Sequence, residues 1–215
     1  MDGGGFEFVV VTTQGSVTTS YQPISTNEWH HLVGTYDGTR LKLYVDGVLK
    51  KDEAQTGTII TNNRNLTIGN NQFNHLFNGT IDEVRIYNRA LTEEEIWEHY
   101  SRGVSKYYDD FNTWSSGKTY RYVGVEDSTT NLQPITPKDT VLHLRFNDNS
   151  TVNVSDSSGY GNDGKTVGAT WINNESCKNS FGGCMIFDGS NDCVEIPDSP
   201  SLNITNAITI GAWIK

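Results

Sequence analysis

Short apolar runs that alternate with polar residues and end at glycine turns constrain this chain more than any other feature. Period-two alternation begins at residues 6–12, and a second run, residues 29–36, ends at the dipeptide Asp37-Gly38. A third run, residues 41–45, ends at Asp46-Gly47. Such alternation is typical of half-buried strands, and Asp-Gly favours a tight hairpin because glycine accepts positive φ. The pattern therefore predicts an antiparallel meander.

The rest of the chain continues this pattern, with a single helix signal. Thr92 followed by Glu95 is a capping box, acids at 93–95 suit a helix N-terminus, and Gly103 is expected to stop the helix. Further strands are predicted at residues 66–69, 79–87, 141–146, 184–187, 193–196 and 208–214. The fold class is therefore all-β with one short helix.

Charge and hydropathy exclude two classes of partner. The chain has 215 residues and 26 acids against 16 Lys plus Arg, a formal net charge of -10. Such a surface repels nucleic acid and anionic headgroups. No apolar run approaches the roughly 18 residues of a membrane span, and the residues after Met1 do not form an export signal. We expect neither nucleic-acid binding nor membrane insertion.

The sequons favour an exported protein, and two of the three cysteines could form a disulfide. Three cysteines lie between residues 177 and 193, and Gly182 and Gly183 allow Cys177 and Cys184 to close a small loop. Pairing of Cys184 with Cys193 is the alternative. Asn-x-Ser/Thr sequons occur at Asn65, Asn78, Asn149, Asn153, Asn174 and Asn203. Asn/Thr-rich turns also generate sequons by chance.

Several segments together resemble the laminin-G-like jelly-roll family, whose fold is similar to that of the concanavalin A-like lectins and glucanases. Residues 29–47 and 77–91, followed by the capped helix, look like the C-terminal half of such a domain. Residues 142–146, 157–164 and 187–192, with the final strand, are similar to its N-terminal half. The two halves therefore stand in reversed order.

This resemblance implies a two-sheet antiparallel β-sandwich with the following organisation. Residues 1–104 would be the C-terminal half, 105–139 a linker with a strand pair around residues 120–125, and 140–215 the N-terminal half. Each half alone leaves an apolar face and open sheet edges, so we expect them to pack as one sandwich. The chain is then either a piece of a tandem array or a circular permutant.

The resemblance also suggests a structural calcium ion. Alternation places Asp82 on the face of Val84 and Ile86, where a buried charge needs a partner. The family pattern would bring Asp82, Asp148 and Asn162 onto one Ca²⁺, which prefers oxygen ligands. Asp188 and Asp192 are second-rank ligands. The alternative is that Asp82 bonds to backbone N–H groups or an arginine and that the others are ordinary turn residues.

No arrangement of acids predicts catalysis. Glycoside hydrolysis needs two carboxylates facing one cleft, whereas alternation puts Asp82 and Glu83 on opposite faces of their strand. The five histidines lack metal-ligand spacing. The loop with Asn71, Phe73 and His75 is a candidate ligand site. A core position is expected for Trp29, Trp97, Trp171 and Trp213.

These observations predict a non-enzymatic recognition module at the cell surface or outside the cell. We expect it to bind carbohydrate or cell-surface proteins and to have neighbouring domains in a larger chain, an expectation that rests on the family resemblance. A purely structural spacer in a repeat array and a polysaccharide-active enzyme are the alternatives.

Overall fold

The computed structural model describes residues 5–22, 24–70, 75–105, 139–174, 176–178 and 182–215. The predicted strand pair around residues 120–125 and most of the predicted linker lie outside the described residues. The elements are β1 (Phe6–Thr12), β2 (Gly15–Tyr21), β3 (His30–Tyr36), β4 (Arg40–Val45), β5 (Val48–Ala54), β6 (Leu66–Ile68), β7 (Asn78–Tyr87), α1 (Glu93–Ser105), β8 (Thr140–Leu144), β9 (Asn153–Val154), β10 (Gly164–Val167), β11 (Thr170–Ile172), β12 (Cys184–Asp188), β13 (Cys193–Ile196), a 3-10 helix (Pro200–Leu202) and β14 (Ile208–Ile214).

The large sheet is the central layer. Its strand order is β11-β12-β7-β14-β3-β4-β5, and β8 pairs with the second half of β7. Strands that are distant in the sequence are neighbours in this sheet: β14, at the C-terminus, lies between β7 and β3. All recorded strand pairs are antiparallel, which confirms the predicted fold class. The assignment of the two segments to reversed halves of one family domain stays a prediction.

The second layer consists of two separate pieces that cover the same face of the large sheet. A four-stranded sheet has the order β6-β13-β10-β9, and β1 and β2 form a hairpin. The core under the four-stranded sheet contains Val84, Leu144 and Ile196. Val10 of the hairpin packs on Tyr36 in a second cluster. Apolar burial between the layers holds the sandwich together.

Helix α1 covers the opposite face of the large sheet. Thr92 and Glu95 form the predicted capping box, since the Thr92 N–H donates to Glu95 Oε2 at 2.9 Å and the Glu95 N–H to Thr92 Oγ1 at 3.3 Å. The sequence predicted that the helix would stop at Gly103, but α1 continues to Ser105. A Cβ at Gly103 would lie 2.3 Å from Trp213 Cζ2. The glycine therefore permits close packing of helix on sheet.

Candidate functional site

A β-bulge changes the position predicted for Asp82. Between Asp82 and Arg85, β7 carries one more residue than the facing part of β14, and Glu83 has a φ of 51°. The extra residue reverses the alternation, so Ile81 and Val84 share the core and Asp82 does not face it. The predictions that Asp82 shares a face with Val84, and that Asp82 and Glu83 point to opposite faces, are therefore wrong.

Asp82 is completely buried on the α1 side of the sheet, where it pairs in register with Trp213. Its Oδ1 accepts the Glu83 N–H at 2.8 Å. Its charge also acts on Lys178: burial lowers the pKa of Lys178, and the charges of Asp46 and Asp82 oppose that lowering. A local backbone hydrogen bond and the charge of Lys178 therefore offset part of the cost of burying this acid.

The two other predicted calcium ligands have different partners. Asn162 is buried and donates to the Val141 carbonyl at 2.7 Å and to Ser201 Oγ at 2.8 Å, while its Oδ1 accepts from Ser201. Asp148 is exposed and accepts the Ser155 N–H at 2.8 Å. Within the described ranges, no group of three or more His, Cys, Asp or Glu side chains is placed to hold a metal. The shared calcium site stays a prediction that this arrangement does not support.

The second-rank ligands form a turn. Asp192 Oδ2 accepts the Asp188 N–H at 2.8 Å, and Asp188 Oδ1 accepts the Ser190 N–H at 2.8 Å. These contacts are typical Asx-turn chemistry. Of the predicted ligand loop, Asn71 and Phe73 lie outside the described residues, and His75 is exposed.

A disulfide joins Cys177 and Cys184, with Cα atoms 5.5 Å apart, and Cys193 is free and buried. The disulfide lies beside Lys178, whose Nζ sits 3.9 Å from the Trp213 ring centre. Trp29 donates to the Ser176 carbonyl at 3.2 Å. The cysteine loop is therefore anchored to the sheet by a cation–π contact and a hydrogen bond.

The tryptophans do not all lie in the core. Trp213 is buried, as predicted, and stacks on Tyr100 at 5.8 Å between ring centres. Trp97 is 51% exposed and packs beside Tyr100 and the turn at Gly47. The prediction of a core position is therefore wrong for Trp97, because the helix turns that side chain to the edge of the packed face.

A cluster of charged side chains joins β7 to the segment around β8. Glu83 Oε2 lies 2.8 Å from His143 Nε2 and 2.9 Å from Arg85 Nη2, and its Oε1 lies 3.9 Å from Arg145 Nε. Burial opposes the charge of Glu83, but the hydrogen bond with His143 and the charges of Arg85 and Arg145 lower its pKa to about 2. Glu83 is therefore a structural anion, with a side chain only 12% exposed.

A groove on the outer face of the four-stranded sheet is a candidate site. Its basis is a row of polar side chains on four neighbouring strands, here called the polar row. Asn153 pairs in register with Lys165, Lys165 with Glu195, and Glu195 with Thr67. All four are exposed. Neighbouring strands lie about 4.8 Å apart, so the row spans roughly 14 Å.

The groove has a volume of about 480 Å³, which is within the range of ligand pockets. Three members of the polar row line it. The remaining lining residues are Asn65, Ser155 and Asp163, which are polar, and Val154, Gly164 and Pro197, which are not. They come from β9, β10 and the segments beside the four strands. The site thus offers amide, ammonium, carboxylate and hydroxyl groups along one line.

Sequence patterns did not predict this groove. The strands β9 and β10, which contribute Asn153 and Lys165, are only two and four residues long. Runs this short contain too little alternation to be recognised. The available signal was the alternation of Glu195 with buried Val194 and Ile196 on a predicted strand, which assigns Glu195 to the outer face.

Comparisons with known proteins place the fold. Residues 1–97 match the family model described as the concanavalin A-like lectin/glucanases superfamily, in its laminin-G-like form. Those residues are therefore similar to the family that the sequence motifs resemble. Mouse Pappalysin-1 is 35% identical over 82 residues, which cover 36% of this chain and 5% of that protein. This chain thus spans only a small part of that relative, and no solved structure gives a match.

The family match supports a modular, extracellular-type domain. In the part of the chain that the structure describes, no helix is long and apolar enough to cross a membrane.

Proposed function

We propose that this domain is a non-catalytic carbohydrate-binding module of a larger extracellular protein and that the groove over the polar row is its binding site. The register of the polar row carries this proposal. Carbohydrates present hydroxyl groups at regular spacing, and the row aligns donors and acceptors over roughly 14 Å, about the length of a short oligosaccharide.

The charges of the row suit a neutral ligand. Lys165 and Glu195 face each other across one strand pair and balance in charge, while Asn153 and Thr67 at the ends are neutral. The chain as a whole carries a net charge of -10, which disfavours strongly anionic ligands. We therefore expect neutral oligosaccharides.

The enzyme alternative has one supporting observation. Asp163 and Glu195 both line the groove, and a polysaccharide hydrolase needs two carboxylates. Asp163 Oδ1, however, accepts the Asp156 N–H at 2.7 Å, which ties it to its loop. Incubation with the bound oligosaccharide and measurement of new reducing ends tests for hydrolysis. We expect none.

The binding test is an array of neutral oligosaccharides, probed with unglycosylated protein made in bacteria. Lys165→Met with Glu195→Gln removes both central charges of the polar row, and we expect this variant to lose binding. The matched control is Lys51→Met with Glu53→Gln, since both residues are exposed on β5.

Three results would contradict the proposal. Equal binding by the groove variant and wild type would move the site elsewhere, and loss of binding in Trp97→Ala would place it at the exposed tryptophan. Wild-type protein that binds no oligosaccharide would favour the spacer alternative.

A further inference from the structure

Two glycosylation sequons lie in the groove itself. Asn153 is both a member of the polar row and the acceptor of the sequon Asn153-Val154-Ser155, and all three residues line the groove. Asn65, the acceptor of a second sequon, lines it as well. The asparagines of all six sequons are exposed: Asn65, Asn78, Asn149, Asn153, Asn174 and Asn203. Exposure is what an N-linked glycan requires in the folded protein.

The two attachment points lie at opposite ends of the polar row. Asn153 is on β9, at one edge of the four-stranded sheet. Asn65 directly precedes β6, the strand at the other edge, and stands two residues before Thr67 of the polar row. Because Asn65 lines the groove, it lies on the same side of the sheet as the polar row. Glycans on both asparagines would therefore enter the groove from its two ends.

The space over the row is small compared with a glycan. Asn153 lies directly opposite Lys165, and side chains in register are about 5 Å apart at Cβ. One N-acetylglucosamine on the Asn153 amide would therefore cover Lys165. It would also convert the amide of the polar row into a substituted one with a single N–H donor.

We propose that N-linked glycosylation of Asn65 and Asn153 closes the groove, so that the chain binds external oligosaccharide only when these two sequons are unoccupied. This inference rests on the proposed function of the groove. The modification is the transfer of an oligosaccharide from a lipid-linked pyrophosphate donor to the asparagine amide nitrogen, with loss of the amide proton and release of the lipid pyrophosphate.

The test secretes the chain from human cells and compares variants that remove or keep each sequon while leaving its asparagine in place. Ser155→Ala removes the sequon but keeps Asn153, and Ser155→Thr retains the sequon. Thr67→Ala and Thr67→Ser form the same pair for Asn65. Peptide mass mapping measures the occupancy of each asparagine, and acetylation by an N-hydroxysuccinimide ester measures the accessibility of Lys165. Lys51, exposed on β5, is the internal reference.

We expect glycan on Asn65 and Asn153 in wild type and a several-fold slower acetylation of Lys165 than in Ser155→Ala. Ser155→Thr should behave as wild type, and Lys51 should react equally in all proteins. Unoccupied asparagines would overturn the proposal, as would an equal rate at Lys165 in glycosylated and unglycosylated protein. Both readouts work without a known ligand. Failure of the bacterial protein to bind oligosaccharides would therefore refute the binding function and leave the closure result interpretable.

Discussion

Replacement of Glu83 by Gln should destabilise the domain strongly, because Glu83 joins β7 to His143 and Arg145, which lie about 60 residues later in the sequence. Its hydrogen bond with His143 and the neighbouring arginines outweigh burial and lower the pKa from 4.5 to about 2. That difference corresponds to about 3 kcal/mol of stability at neutral pH, because one pKa unit is worth about 1.4 kcal/mol. The side chain is 12% exposed, so solvent screens the charge little.

The sign of the pH dependence follows from the lowered pKa. A carboxyl group whose pKa is lowered by folding contributes stability above its unfolded pKa, and that stability is lost as the pH falls through the folded value. The difference in unfolding free energy between wild type and Glu83→Gln should therefore be largest above about pH 5 and shrink between pH 4.5 and 2. Urea unfolding followed by tryptophan fluorescence at a series of pH values measures it.

Glu7→Gln is the control for this experiment, since Glu7 is exposed on β1. It should change the free energy of unfolding by no more than about 0.5 kcal/mol. A loss below about 1 kcal/mol for Glu83→Gln, or a deficit that persists at pH 2, would refute the reasoning that Glu83 is a structural anion.

Three further predictions concern stability. Replacing Cys177 and Cys184 by alanine should cost about 2.5 kcal/mol of unfolding free energy for a loop of this length, and an unchanged midpoint in a urea titration would contradict this. Gly103→Ala should lower the melting temperature because the added Cβ would meet the Trp213 ring, although alanine favours a helix over glycine by about 1 kcal/mol. A higher melting temperature in calorimetry would contradict that packing. Millimolar calcium should leave the wild-type melting temperature equal to that in chelator, since Asp82, Asp148 and Asn162 have separate partners. A rise of several degrees that disappears in Asp82→Ala would instead support the predicted calcium site.

Most of the large sheet could be predicted because its strands are long and alternate regularly. The predicted strands at residues 29–36, 41–45, 79–87 and 208–214 are β3, β4, β7 and β14. The capping box at Thr92 predicted the start of the helix because its two hydrogen bonds join residues only three positions apart in the sequence.

The features that were missed depend on contacts distant in sequence. The bulge at Glu83 is visible only when β14 is aligned with β7, so alternation alone gave Asp82 the wrong face. The role of Gly103 is to make room for the ring of Trp213, which lies more than a hundred residues later in the sequence. The groove depends on the register of four short strands, and register is a property of pairs of strands.

Amide chemical-shift mapping of the bacterial, unglycosylated protein tests the binding site most directly. Chitohexaose, cellohexaose, xylohexaose and mannohexaose would each be titrated into isotopically labelled protein, with assignments for the groove strands. The proposed function predicts that a binding oligosaccharide shifts amides at residues 153–155, 163–167 and 195–197. Shifts confined to the region of Trp97 and Tyr100, or no shifts with any of the four, would contradict it.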